Sequence, residues 1–390
     1  MTDHTNDRTT DEADPTRRGF LTGAAIAGAT VAAGGLALGT ASARAQSSST
    51  AASPLTDNRR MLGDLEVSAL GLGVQNMHRT FTTLVPDRDD MIALIRTAFD
   101  EGVTFFDCAE VYGPYSCEEI LGEAIADIRD RVQITTKFGF DIGEDGNIAG
   151  VISTPERIRA AVEGSLQRLG TDRVDLLYQH RVDPNVPIEE VAGVVQDLIN
   201  EGKALHWGLS EPGPETLRRA HATLPVTAVQ NEYSMLYRGV EDGVLPITRE
   251  LGIGFVPFAP LGYGFLTGAI DMATAFAPGD FRGFTSRMEG ENRQANMALV
   301  DLTRDWAGRK DAEPEQIALA WLMAQGPDIV PIPGTTNATH LRDNIGAAAV
   351  EFTEAEIAEL NEAVRAIEVQ GERAPAIVQE WNGAEAPPAG

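Results

Sequence analysis

Several residue classes are scarce in this chain of 390 residues, and each scarcity closes off a reading. Lysine occurs only at Lys137, Lys203 and Lys310, and Lys plus Arg total 31 against 58 Asp plus Glu, for a formal net charge of −27. A surface this acidic repels nucleic acid and anionic lipid, so neither is expected as a partner. Cysteine occurs twice, at Cys108 and Cys117, too few for a disulfide framework, and no histidine cluster lies near them to suggest a metal site. Cys108 sits in an apolar run and reads as a free buried thiol. A bridge to Cys117 is the alternative in an oxidising compartment. Aromatic residues make up only 6% of the chain. A glycine fingerprint for a Rossmann-type nucleotide site is also missing. Gly71-Leu72-Gly73-Val74-Gln75-Asn76 lacks the third glycine, and Gly262-Tyr263-Gly264 has the wrong spacing.

Long apolar runs are absent except near the start. There, Thr16-Arg17-Arg18-Gly19-Phe20-Leu21 forms a twin-arginine pattern, followed by an Ala/Gly/Val/Leu stretch over 21–38 and small-x-small sites ending at Ala43 and Ala45. The stretch is short and weakly hydrophobic for a membrane span and ends in a cleavage signal. Residues 1–45 are therefore expected to be a twin-arginine signal peptide, handled by that export machinery, with no stable membrane anchor. The mature protein would be periplasmic or extracellular. Cleavage removes five acidic residues and four arginines, leaving a charge of −26. Residues 46–58, rich in Ser, Thr and Ala, read as a linker.

What is present from residue 59 onward is alternation. Short apolar runs appear at 69–74, 104–108, 132–138, 174–178, 204–209, 228–230, 254–258 and 329–332. Between them lie amphipathic helical stretches. One places Met91, Leu94, Ile95 and Ala98 on one face. Another opens at Thr154-Pro155 and places Ile158, Ala161, Val162, Ser165, Leu166 and Leu169 together. A third carries Val191, Val194, Val195 and Leu198. Eight such repeats predict an α/β fold, a (β/α)8 TIM barrel over 59–365. A short N-terminal β-hairpin (61–65 with 67–70) is expected to close one end. An extra capped helix over 353–364 and an irregular tail over 366–390 complete the reading. The long segment 269–294 has no clear periodicity, and loops of that length inside a domain are usually functional.

In a barrel, chemistry sits where the strands end. The second run ends at Asp107 with Tyr112 soon after, the third carries Lys137, and the fourth leads into His180. A tyrosine with an ordinary pKa near about 10 surrenders its proton reluctantly at neutrality. An adjacent ammonium stabilises the phenolate and acts to lower that pKa. A carboxylate keeps the ammonium charged, and a histidine can orient a substrate oxygen. Asp107, Tyr112, Lys137 and His180 are thus the candidate catalytic set for protonating an oxygen as hydride reaches its carbon, or for the reverse. No metal is implied.

These segments resemble a known family. Phe106-Asp107-Cys108-Ala109-Glu110-Val111-Tyr112-Gly113, Ile134-Thr135-Thr136-Lys137 and Asp175-Leu176-Leu177-Tyr178-Gln179-His180-Arg181 look like the catalytic segments of the aldo/keto reductases. The similarity spans 59–364 and is greatest to the long-loop bacterial type related to potassium-channel β subunits. The resemblance implies an oxidoreductase passing hydride between NADP(H), with NAD(H) as the alternative, and a small carbonyl or alcohol substrate. It implies that Ser210 and Gln230 bond the nicotinamide carboxamide and that Phe258 stacks on the nicotinamide ring. It also implies that Leu261, Gly262, Gly264 and Leu266 line the pyrophosphate, while Gly334, Thr335, Thr336, Asp343 and Asn344 hold the adenosine half. Positions 337 and 340, often basic in relatives, hold Asn and His, leaving Thr335, Thr336 and Arg342 near a 2′-phosphate. Tyr263 stands where relatives often have arginine. Met77, Tyr112, His180, Arg282 and Arg287 are expected around the substrate. Two other readings share this fold. One is a cofactor-holding, redox-sensing partner protein of the channel β-subunit type. The other is a carboxylate-pair glycoside hydrolase, which Lys137 and Gln230 and the scarcity of tryptophan disfavour.

Overall fold

The computed structural model describes residues 52–389; the signal-peptide reading over 1–45 and the first part of the linker lie outside them. The chain opens with an antiparallel hairpin, β1 (Arg59–Leu62) and β2 (Leu65–Ser68), joined through Gly63 at φ +57°. A parallel sheet follows, built from β3 (Leu72–Gly73), β4 (Phe105–Asp107), β5 (Gln133–Phe138), β8 (Val174–Gln179), β9 (Ala204–Ser210), β10 (Ala228–Glu232) and β11 (Gly254–Phe258), paired in that order. The sheet closes through residues 329–333. Val330 N and Ile332 N donate to Phe255 O and Pro257 O on one side, and Pro331 O and Pro333 O accept from Gly71 N and Gly73 N on the other. Prolines cannot donate, so this eighth segment bonds its first neighbour only through carbonyls and falls short of a regular ladder while completing the barrel.

The helices cover the outside. The strands are followed by α1 (Arg88–Asp100), α2 (Ser116–Ile125), α3 (Pro155–Leu169), α4 (Ile188–Asn200), α5 (Pro214–Thr223) and α6 (Val244–Leu251). Then come α7 (Gly290–Lys310), α8 (Pro314–Ala324), α9 (Ala338–Gly346), α10 (Glu354–Ala366) and the short α11 (Ala376–Gln379). The buried faces of α1, α3 and α4 include every residue the periodicity assigns to them. Thr353 and Glu356 form a reciprocal capping box on α10. Thr154 occupies the N-cap of α3 without making the expected side-chain bond; Pro155 at the first helical position and Gly170 in the left-handed conformation set its ends instead. An outer hairpin, β6 (Phe140–Ile142) with β7 (Ile148–Val151), rises beyond β5 and has no counterpart in the sequence reading. Among the described residues no helix is long and apolar enough to cross a membrane.

The barrel interior is a core of its own, separate from the layer between strands and helices. Leu62, Leu65, Val67, Phe105, Leu176, Tyr178, Ala228, Val256, Val330 and Ile332 fill it. Side chains along a strand alternate sides, so the inward series on each strand can be followed upward. Phe105 leads to Asp107, Thr135 to Lys137, Tyr178 to His180, Gly208 to Ser210, Ala228 to Gln230 and Val256 to Phe258. Gly208 is required there, because a Cβ would lie 2.5 Å from the Tyr178 ring and 2.4 Å from Ala228 O.

Candidate active site

Parallel register carries the candidate acid, its activator and their carboxylate to one place. Asp107 pairs with Thr135, and Lys137 lies two residues further along β5, on the same face. The Lys137 ammonium spends all three donors at once: on Asp107 Oδ1 at 2.5 Å, Cys108 O at 2.8 Å and the Tyr112 hydroxyl at 3.2 Å. An ammonium cannot accept, so the phenol oxygen is the acceptor in that last contact and its own O–H remains free to point elsewhere. The other Asp107 oxygen accepts from Thr135 Oγ1 and from Gln230 Nε2, both at 2.7 Å. Lys137 is 1% exposed and Asp107 2%, which makes this a buried ion pair held on every side.

The electrostatics follow from that burial. Desolvation works to lower the Lys137 pKa, yet the charge of Asp107, with Tyr112, outweighs it and leaves the ammonium above its ordinary value. For Tyr112, burial of the hydroxyl dominates and pushes the phenol up to about 12, with Lys137 acting downward against it. The sequence reading anticipated the direction of the lysine's effect but not that desolvation exceeds it. His180 lies edge-on to Tyr112 with ring centroids 5.8 Å apart. Burial, and then the charges of Lys137 and Arg181, hold it well below its ordinary pKa, so it is a neutral imidazole. Its buried Nδ1 has no protein partner.

Gln230 Nε2 donates to Asp107, and Ser210 Oγ accepts from Arg181 Nη1 at 3.0 Å. Phe258 presents a half-buried ring beside them. Beyond β11 the chain turns through Gly262 at φ +56° and Gly264 at φ +89°, with the Arg282 guanidinium over Gly264 and the Leu236 side chain against Gly262. Leu266 is wholly buried and its carbonyl accepts from Thr303, making it a support beneath this turn. Across the barrel closure, Gly334 is exposed and Thr336 half-buried. Thr335 Oγ1 accepts from Asn337 N, and Asn344 is 3% exposed. Asn337 caps α9 by accepting from Thr339 N and His340 N, while Arg342 donates to Glu101 at 2.8 Å. Asp343 is half-buried, with its carbonyl accepting from Gln316.

The residues expected around the substrate divide as well. Met77 is buried at 1% exposure. Arg282 pairs with Asp280 at 2.7 Å and Arg287 with Glu232 at 3.1 Å, so both loop arginines are neutralised within the protein. The tail supplies what the sequence reading missed. Arg373 pairs with Glu211 at 2.7 Å, Gly383 N donates to Glu211 O, and Glu385 caps α5 through Glu215 N and Thr216 N. Trp381 lies against Phe140, with centroids 5.5 Å apart, and Phe140 against His180, at 4.8 Å. The supposedly irregular tail therefore spans the barrel mouth and forms part of its wall. Both cysteines are free and buried, and Cys108 contributes through its backbone carbonyl only.

Known proteins share this fold. The sequence profile described as the aldo/keto reductase family matches residues 69–365. A glycerol dehydrogenase from Gluconobacter oxydans superposes with a TM-score of 0.74 at 26% identity, covering 81% of this chain and 97% of its own. A thermostable aldo-keto reductase in complex with the inhibitor epalrestat gives 0.62 at 26% identity, over 78% and 99%. An aldo/keto reductase from Klebsiella pneumoniae in complex with NADP and acetate gives 0.61 at 24% identity, over 80% and 97%, a likeness of fold.

Proposed function

This chain belongs to the aldo/keto reductase family, and from that premise we propose that it moves hydride between NADP(H) and a carbonyl or alcohol, with Tyr112 giving or taking the proton. It is an NAD(P)H-dependent oxidoreductase. Within the family we place it with the long-loop type, on the long segment 259–289 between β11 and α7. The observation that carries the proton assignment is the 3.2 Å contact from Lys137 Nζ to the Tyr112 oxygen at the floor of the mouth. The site fits a nicotinamide nucleotide. Phe258 offers a half-buried ring, and Asn231 Oδ1 is buried with no partner. When bound, the nicotinamide supplies or takes up the hydride.

In the reducing direction, the carbonyl oxygen sits between the free Tyr112 O–H and a ring N–H of neutral His180. Tyr112 releases its proton to that oxygen as negative charge grows there. The ammonium of Lys137 then stabilises the phenolate, an interaction strengthened by the dry surroundings. Asp107 fixes the ammonium and is itself held by Thr135 and Gln230. Phe140 and Trp381 shield this end from water.

The direct test is Tyr112→Phe. Its rate of NADPH-dependent reduction of an activated aldehyde should fall by roughly 10²–10⁴-fold, the usual contribution of a positioned acid, while NADPH still binds. A variant retaining the full rate would refute the proton assignment. Fluorescence titration with NADPH and NADH in parallel tests the cofactor preference. We further propose export by the twin-arginine route, supported by the pattern around Arg17 and Arg18. Because that route moves folded protein, the cofactor can be loaded before secretion. Mass spectrometry of the secreted protein should then find it bound; consistently empty protein would count against loading.

A further inference from the structure

Four buried carboxylates at the mouth have a cation: Asp107 has Lys137, Glu110 has Arg157, Glu211 has Arg373, and Glu232 has Arg287. A fifth, Asp183, takes the backbone N–H groups of Ser153 and Asn185 and the Asn185 amide instead. One mouth cation likewise has no ion-pair partner. Arg181, 9% exposed, has no carboxylate within salt-bridge distance among the described residues. Its Nη1 donates to His180 O at 2.6 Å and to Ser210 Oγ at 3.0 Å, its only hydrogen bonds among the described residues. Its Nε is buried without a partner, and no described residue accepts from Nη2. These two donors form one edge of the guanidinium, and that edge matches the two oxygens of a carboxylate.

The position of that edge is as informative as its vacancy. Arg181 follows His180 in sequence, and its guanidinium lies 6.0 Å from the centroid of the Phe258 ring. Its charge reaches His180 and Tyr112, so it belongs to the chamber in which the carbonyl would sit. A buried guanidinium lacking its counter-charge is costly and is normally completed by a partner. Building on the reductase reading above, we propose that Arg181 anchors a carboxylate on the substrate, so that the carbonyl compounds this enzyme prefers are short oxo acids. The anion is held by the Nε and Nη2 edge while the carbonyl lies against Tyr112 and His180. The acidic surface of the chain opposes the approach of an anion, but its field is screened within about 8 Å at physiological salt, and local pairing decides at contact.

The test compares 4-oxobutanoate with its neutral isostere 4-methylpentanal, using full-length enzyme and NADPH. Wild type should favour the anion in kcat/KM by tenfold or more. Arg181→Met should reduce that preference by at least tenfold, and Arg181→Lys should restore part of it. An unchanged ratio in Arg181→Met overturns the proposal. So does equal loss on both aldehydes together with weakened NADPH binding, which would make Arg181 a cofactor ligand. Calorimetry with butanoate, which carries the carboxylate and no reacting carbonyl, tests the anchor alone. Saturable binding to wild type that Arg181→Met abolishes supports it, and no binding to wild type overturns it. If butanoate binds through Arg181 but neither aldehyde reacts, the anchor stands and the reductase reading falls.

Discussion

The two ends of the barrel are built from the same strands and packed on opposite terms. At the end covered by the hairpin, Leu62, Leu65 and Val67 seat on Phe105, Leu176, Ala228, Val256 and Val330. The interior there is apolar, with polar ties only around it, from Ser68 to Thr104 and from Arg60 to the carbonyls of Met323, Gly326 and Ile329. At the mouth, the same inward positions carry Asp107, Lys137, His180, Ser210 and Gln230. Around them run the Glu211–Arg373 and Glu232–Arg287 pairs. Apolar burial stabilises by about 25 cal/mol per Å². Buried ion pairs, by contrast, do little better than offset their own desolvation, and they become a large liability when one member is lost. The hairpin end therefore supplies stability, and the mouth consumes part of it to hold charges in defined positions.

Lys137→Met should separate the two ends most strongly. Loss of the ammonium removes the stabiliser of the phenolate, and a drop in kcat/KM of roughly 10²–10⁴-fold is expected. It also strands Asp107 as a buried charge, so unfolding stability should fall by about 3–5 kcal/mol. Tyr112→Phe shares the kinetic loss without the stability loss. Parallel denaturant titrations of the two variants check this, and equal stabilities would mean that Asp107 does not depend on the lysine for its charge.

The converse substitution lies at the closed end. Leu62 is fully buried, and its main chain packs so close to Gly254 that a Cβ there would come within 2.4 Å of Leu62 Cα. Leu62→Ala should cost about 2–5 kcal/mol. Kinetic constants measured well below the melting temperature should stay within about twofold, since nothing at that end contacts the reacting groups. A large fall in kcat at intact stability would break the division between the ends.

The same contrast separates what was legible in the sequence from what was not. The barrel was readable because alternation along strands and the helical repeat are local signals. The inward series that ends in Asp107, Lys137 and His180 follows from a period of two. Tertiary pairings left no such trace. Glu211 meets Arg373 across 162 positions, and no periodicity marks a tail that folds back over the mouth. Trp381 has no patterned sequence around it, and its partner Phe140 lies on a hairpin with only short, weakly patterned strands. Gln230 and Ser210 were readable as polar residues at strand ends, but their bonds to Asp107 and Arg181 were not, because each joins a different strand. Arg181 stands in the polar run Gln179-His180-Arg181 and carries no mark of its own; that it lacks a carboxylate emerges only once the other ion pairs are known.

Glu110 sharpens the comparison further, because it is the mouth carboxylate with the loosest pairing. It is 2% exposed, and Arg157 reaches its two oxygens only at 3.3 and 3.4 Å. Burial raises its pKa from about 4.5 to about 7; Arg157 and Arg168 act to lower it and Glu118 to raise it further. A carboxyl whose pKa is raised on folding keeps its proton in the native state while the unfolded chain has already released it. The stability this contributes is fully present below the unfolded pKa. It fades as pH rises from about 4.5 through about 7, and no further change follows above that. At about 1.4 kcal/mol per pKa unit, the loss across this window is on the order of 3 kcal/mol. Glu110→Gln keeps a neutral group at every pH and should abolish this component. Between pH 5 and pH 8 the variant should therefore lose less stability than wild type by that amount, measured as urea midpoints at the two pH values. Identical pH dependence in both proteins would mean that Arg157 holds Glu110 ionised throughout. The loosest pair at the mouth would then be as fully compensated as Glu211 with Arg373.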